Sequence, residues 1–257
     1  MRRQAITAIG TTAGLCAVPP PPLKSGTSLF LDLDGTLLEL IDRPDQVVAD
    51  ENLRGTLGRL HERLEGRVAI VSGRSLAQLD SILGPVARLL ALSGSHGGEC
   101  RVHGTAVSRP RPPQLDRAAE DLRAFARRHE GMLLEEKTLG VALHYRLAPQ
   151  LAQEARRRAL ALAERLELFL QEGSMMVELR PRGHDKGTAI SHMMEIAPLV
   201  QAMPVFAGDD LTDEAGFAAA RDHGGYGILI GKERPSAARY RLRDPAAVRA
   251  WLREFAG

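Results

Sequence analysis

Two carboxylates, Asp32 and Asp34, follow the apolar run Leu29-Phe30-Leu31 and are closed off by Gly35-Thr36. An apolar run that ends at glycine reads as a buried parallel strand handing its last residues to a loop. In open α/β sheets that carboxyl-end loop is where ligands bind. Residues two apart on a strand project to one face, so the spacing predicts that both carboxylates point the same way. Like charges held that close repel, and burial raises the cost. A divalent cation between them removes it, and hard carboxylate oxygens with positions left for water and phosphate suit Mg2+. A strand end with two solvated acids would read the same on this stretch alone, so other groups at the same edge must decide.

Those groups are present. Ser72 follows the apolar run Arg67 to Val71, Lys186 opens a helix at Asp185-Lys186-Gly187, and Gly208-Asp209-Asp210 leads to Asp213 after the run Met203 to Ala207. Several carboxylates with one lysine and one hydroxyl are what metal-assisted phosphoryl transfer needs. Charge spread over the phosphoryl oxygens must be met by a cation and fixed donors. In that chemistry Asp32 and Asp209 hold Mg2+. A carboxylate two residues past the nucleophile can protonate the leaving alcohol and then activate water. Asp210 and Asp213 are less specific: they could meet the metal through water, orient Lys186, or cap the following helix.

The elements that must position these groups alternate. The strand through Leu31 is followed by a helical repeat at Leu53, Leu57, Leu60 and Leu64. A strand at 67–71, a helix over Leu76 to Leu83 and a strand over Leu89 to Leu92 come next. From Lys186 the pattern resumes, with strands at Met203 to Ala207 and Tyr226 to Ile230 and a closing helix from Pro245. Such an order favours a parallel sheet with right-handed crossovers. The expected fold class is α/β, a Rossmann-like parallel sheet core with an inserted α+β cap. The core takes residues 26–106 and 182–257, and the cap takes residues 107–181.

Between the halves, the order is helix (Leu115 to Arg128), strand pair, helix (Leu151 to Leu168), strand pair. In Val141 to Arg146 the odd positions are apolar and His144 and Arg146 share the other face; in Met175 to Arg180, Glu178 and Arg180 do. A half-solvated sheet would show that alternation. A polar floor for a sugar would show it too.

Composition sets outer limits. A net charge of +2 from 34 basic and 32 acidic residues gives no reason to expect nucleic acid as a partner, and Arg156-Arg157-Arg158 reads as a solvated helix face. The two cysteines, Cys16 and Cys100, lack metal-ligand spacing and form no disulfide framework, which fits a reducing, cytoplasmic setting. Met1-Arg2-Arg3 and the apolar run to Val18 faintly resemble an export signal. Threonines and glycines dilute that run and no Ala-x-Ala site follows, so residues 1–25 are expected to be a disordered leader. No stretch is apolar enough to span a bilayer.

Asp32-Leu33-Asp34-Gly35-Thr36, Ser72, Lys186 and Gly208-Asp209-Asp210 resemble, in order, the four motifs of the haloacid dehalogenase superfamily of phosphohydrolases. The resemblance implies that Asp32 is the nucleophile that forms an aspartyl-phosphate. It implies that Asp34 is the general acid/base and gives its backbone carbonyl to the metal. Ser72 and Lys186 then bind the phosphoryl group, and Asp209 is a metal carboxylate. An insert between the second and third motifs corresponds to the larger cap type.

A closer resemblance covers Leu29 to Leu252. Asp45-Gln46-Val47-Val48, Val71-Ser72-Gly73-Arg74-Ser75, His96-Gly97-Gly98-Glu99, Leu143-His144-Tyr145-Arg146, Val177-Glu178-Leu179-Arg180-Pro181 and Gly208 to Glu214 are similar to the trehalose-6-phosphate phosphatase family. It implies a disaccharide site formed by Lys137, His144, Arg146, Glu178 and Arg180 from the cap with Arg74 and His96 from the core. The segment before Gly26 has no counterpart in that pattern.

The expectation is a Mg2+-dependent phosphatase of trehalose biosynthesis that acts as a monomer on a small molecule, with cap motion hinged near Val107 and Pro181. Sucrose 6-phosphate or mannosyl-3-phosphoglycerate would use the same core motifs, which meet only phosphate and metal. A non-catalytic phosphosugar-binding module is disfavoured because a binder needs no acid/base at Asp34.

Overall fold

The computed structural model describes residues 18–41, 47–108, 110–173 and 175–257. Expectations for residues 1–17, Cys16 among them, and for residues 42–46, which include Asp45-Gln46 of one motif, lie outside the described residues.

The larger sheet begins with β1 (Thr27–Leu31), α1 (Glu51–Arg63), β2 (Val68–Val71), α2 (Leu76–Leu83) and β3 (Ala91–Gly94). A hairpin of β4 (Glu99–Val102) and β5 (Thr105–Ser108) extends it. The smaller sheet is built from α3 (Pro113–Ala126), β6 (Leu133–Lys137), β7 (Gly140–His144), α4 (Ala152–Leu166), β8 (Phe169–Gly173) and β9 (Met176–Arg180). The chain then returns through α5 (Lys186–Met193), β10 (Met203–Gly208), α6 (Glu214–Asp222), β11 (Tyr226–Ile230), β12 (Tyr240–Leu242) and α7 (Pro245–Ala256).

The larger sheet has the order β12-β11-β10-β1-β2-β3-β4-β5, parallel from β12 to β3 and antiparallel over the last two pairings. From β1 the chain winds outward to β3 on one side, and from β10 to β12 on the other. The switch point of this doubly wound arrangement therefore lies between β1 and β10, where such sheets bind ligands. Both faces are covered. Leu29 and Leu31 point into a core closed by α1, α2 and α7, and Phe30 into one closed by α5 and α6. Burial on both faces explains why these strands read as continuous apolar runs.

The smaller sheet is antiparallel, in the order β6-β7-β9-β8. Val141, Leu143, Val177 and Leu179 pack against Leu115 and Leu122 of α3 and Leu162 of α4. Ala142 lies opposite Glu178 and Glu135, and His144 opposite Leu133 and Met176. Paired residues share a face, so Glu135, His144 and Glu178 lie on the side away from α3 and α4. That side is not half-solvated at Glu178 and Arg180, which are both buried.

Three expectations change. β1 ends at Leu31, so Asp34 does not share a strand face with Asp32; the chain turns at Gly35, and Asp34 bridges only to Leu38. The β4–β5 hairpin and β12 carried too little apolar alternation to be read as strands. The described end of the leader is not free. The Pro21 carbonyl accepts from Trp251 Nε1 at 2.9 Å, the Val18 carbonyl accepts from the Arg241 N–H at 2.9 Å, and Leu23 is buried in the core. Among the described residues no helix is long and apolar enough to cross a membrane.

Candidate active site

At the carboxyl end of β1 the Asp32 N–H donates to the Ala207 carbonyl of β10 at 2.9 Å, which continues the ladder one residue past the strand. The next turn is tight: the Leu37 and Leu38 N–H groups both donate to the Leu33 carbonyl, and the Gly35 N–H donates to that of Leu38. Gly35 has φ +79°, in the left-handed region, and a Cβ there would lie 2.1 Å from Asp209 Oδ2. This glycine lets two loops from neighbouring strands bring their carboxylates together. Gly35→Ala is expected to displace Asp209 and cut turnover by on the order of 10²-fold. A crystal structure of the variant should show that carboxylate moved; unchanged kinetics would contradict it.

Asp32, Asp209 and Asp213 each offer an oxygen within 4.8 Å of the others. Between two of them sits Lys186, its Nζ 2.7 Å from Asp32 Oδ1 and 2.6 Å from Asp213 Oδ1, with its side chain 5% exposed. Lys186 is the first residue of α5, fixed there by Asp185, which accepts from the Thr188 N–H at 2.7 Å as N-cap. Asp213 is fully buried and also accepts from the Asp210 N–H at 2.9 Å. Asp213 therefore orients Lys186, while exposed Asp210 caps the short helix at 211–213.

Burial, opposed by Lys186 and reinforced by Asp213 and Asp209, pushes the Asp32 carboxyl well above the usual range. For Lys186, burial alone would lower the ammonium, but Asp213 and Asp32 together raise it, so it stays charged. Burial and then Asp213 push Asp209 up to about 6. Three carboxylates against one ammonium leave an excess of negative charge, and hard oxygen donors so arranged fit a divalent cation.

A raised carboxyl pKa has a defined consequence for stability. The folded state holds the Asp209 proton more tightly than the unfolded chain, so this contribution is present at low pH. It is lost as pH rises from 3.8 through about 6. Without divalent cations, the melting temperature of wild type relative to Asp209→Asn is expected to fall across that window; excess divalent cation should remove the slope. A difference independent of pH in the metal-free protein would contradict it.

Ser72, at the end of β2, is buried, and its Oγ accepts from the Arg74 N–H at 3.2 Å. Arg74 forks onto Asp34, with Nε 2.6 Å from Oδ2 and Nη2 2.7 Å from Oδ1. His96 is buried with φ +53°, and its ring packs on Gly73, where a Cβ would lie 2.5 Å from Nε2. Burial, then Arg180, Lys186 and Lys137, hold the imidazole well below its usual range and therefore neutral.

On the smaller sheet Lys137 Nζ is 2.8 Å from Glu178 Oε2, and His144 Nε2 is 2.9 Å from Glu135 Oε2. The Arg180 guanidinium stacks 4.4 Å over Phe169 and donates to Gln171 Oε1 at 3.0 Å and to the His184 carbonyl. Arg146 lies beyond β7 in an exposed turn, so no strand pairing sets it on the face of His144. Glu135 was missed. Hydrogen bonding to His144 holds it down at about 2 despite burial, and Gln78 of α2 donates to it at 3.1 Å. Leu133-Leu134-Glu135-Glu136-Lys137 shows no alternation; only its pairing with β7 reveals which glutamate faces inward.

A doubly wound sheet with a carboxylate–lysine cluster at its switch point and an inserted antiparallel sheet is a fold shared with solved phosphatases. A Bacteroides thetaiotaomicron phosphatase of the haloalkanoate (HAD) enzyme superfamily superposes with a TM-score of 0.61, covering 88% of this chain and 94% of the other at 16% identity, a likeness of fold. Within that class the trehalose-phosphatase family model matches residues 30–246, and the chain belongs to this family of phosphoric monoester hydrolases. It is 38% identical over 239 residues to the trehalose-6-phosphate phosphatase of Escherichia coli (strain K12), covering 90% of this chain and 87% of that one. The crystal structure of a trehalose-6-phosphate phosphatase related protein matches with a TM-score of 0.76 and 29% identity, covering 89% and 96% of the two chains.

Proposed function

We propose that this protein hydrolyses trehalose 6-phosphate to trehalose and phosphate, with Mg2+ held by Asp32, Asp209 and the backbone carbonyl of Asp34. The observation that carries the reading is the Lys186 ammonium shared by Asp32 and Asp213 beside a polar sheet face built from half-buried Glu135, Lys137 and His144 with buried Glu178 and Arg180. Mg2+ would neutralise charge on the phosphoryl oxygens.

The rest is the work of side chains. Asp32 Oδ attacks phosphorus and the bond to the sugar oxygen breaks, while Asp34 gives that oxygen its proton. Ser72 Oγ–H and the third Nζ hydrogen of Lys186 donate to the phosphoryl oxygens. Asp34, now a carboxylate, takes a proton from the water that attacks the aspartyl-phosphate, and phosphate leaves with Asp32 restored. The Arg74 fork holds Asp34 in place for both steps. His96, being neutral, accepts or donates a sugar hydrogen bond without adding charge.

Glu178→Ala tests the sugar contact. It removes the partner of Lys137 and an acceptor suited to sugar hydroxyls. The kcat/KM for trehalose 6-phosphate is expected to fall by on the order of 10²-fold, with a small aryl phosphate nearly unaffected. Equal losses on both substrates would argue against a sugar contact.

A further inference from the structure

One of the side chains that join the smaller sheet to the larger has an unusual pair of obligations. Gln78, in the first turn of α2, completes a capping box: its Oε1 accepts from the Ser75 N–H at 2.9 Å while Ser75 Oγ accepts from the Gln78 N–H at 3.3 Å. The amide orientation is thereby forced, because a backbone N–H only donates. The other end, Nε2, points out of the box and donates to Glu135 Oε1 on β6 at 3.1 Å. The second oxygen of Glu135 is taken by His144. One uncharged side chain thus links the Ser72–Ser75 loop, which carries the Ser72 hydroxyl and the Arg74 fork on Asp34, to the polar face of the smaller sheet.

We propose that Gln78 is a positioning residue, a latch that holds the sheet carrying Glu135 against the phosphate-binding loop and so ties sugar engagement to the alignment of Ser72, Arg74 and Asp34. The proposal rests on the sugar-phosphate reading above. Only an amide serves both partners. A carboxylate at 78 would still accept from Ser75 and keep the capping box, but it would place like charge against Glu135. An alkyl chain would lose both bonds.

That asymmetry separates a latch from a helix cap. Gln78→Glu is expected to melt where wild type melts, because glutamate is itself a preferred third residue of a capping box. Its kcat/KM for trehalose 6-phosphate should fall at least about tenfold, while hydrolysis of p-nitrophenyl phosphate, which meets only the larger sheet's edge, changes less than about twofold. Wild-type efficiency in Gln78→Glu, or equal losses on both substrates, would overturn the latch. A second readout is independent of the substrate. Spin labels at the exposed positions Leu89→Cys and Leu160→Cys, with Cys16→Ser and Cys100→Ser, should report longer and broader separations in Gln78→Glu. An unchanged distance distribution would overturn it. If wild type itself does not prefer trehalose 6-phosphate over p-nitrophenyl phosphate, the sugar reading fails while the label distances still decide the latch.

Discussion

Asp32→Asn is expected to lower trehalose 6-phosphate turnover by about 10⁴-fold or more, with the fold intact. In the proposed mechanism the carboxylate oxygen is the group that bonds to phosphorus, and an amide at the same place is neither anionic nor a competent nucleophile. The substitution is nearly isosteric, and the site favours loss of charge there. Asp32 is buried beside Asp209 and Asp213, and that burial already raises its pKa. Its Oδ1 bond to Lys186 can be kept by an amide oxygen, so the metal-free melting temperature should hold or rise. Activity within about a hundredfold of wild type would remove Asp32 from the nucleophile's role. A large drop in melting temperature would mean that the three carboxylates are less strained than their spacing implies.

Lys186→Met should produce the largest combined effect. The methionine fills much of the same volume but leaves Asp32 and Asp213 without the ammonium that bonds both at 2.7 and 2.6 Å. Breaking a buried ion pair by removing one partner costs on the order of 3–5 kcal/mol, since the remaining charge stays desolvated. For a chain of this size that is a fall on the order of 10 °C in melting temperature. Turnover should fall by a further ~10²- to 10³-fold from loss of a phosphoryl donor. The stability loss should shrink when Mg2+ is added or pH is lowered, because either one neutralises the unpaired carboxylates. Chemical denaturation at two pH values, with and without Mg2+, checks this. A loss insensitive to both would mean a packing defect and not an unpaired charge cluster.

Much of this site was legible because parallel-sheet physics writes itself into sequence. Strands buried on both faces give apolar runs such as Leu29 to Leu31 and Val68 to Val71, and the polar residues that interrupt them fall at one edge. Asp32, Ser72 and Asp209 were therefore readable from position alone, and Lys186 from its place at the start of α5. The side of the smaller sheet that carries Glu178 was readable from alternation. What was hidden depends on tertiary pairing. That Arg74 grips Asp34 follows from two loops meeting across β1 and β2. Glu135 lies in a run with no period, and its facing is fixed by its partner Ala142. Arg146 kept the right alternation but fell past the end of its strand, because β7 stops at His144. The hairpin at β4 and β5 alternates too weakly to be seen locally, and its pairing with β3 is what makes it a strand.

The most direct test is phosphate release from a panel of sugar phosphates, including trehalose 6-phosphate, sucrose 6-phosphate and mannosyl-3-phosphoglycerate, with Mg2+ and after chelation, beside Asp32→Asn. A strong preference for trehalose 6-phosphate, lost on chelation and in the variant, is the predicted result. Turnover of the panel without preference, or turnover that survives chelation, would contradict it.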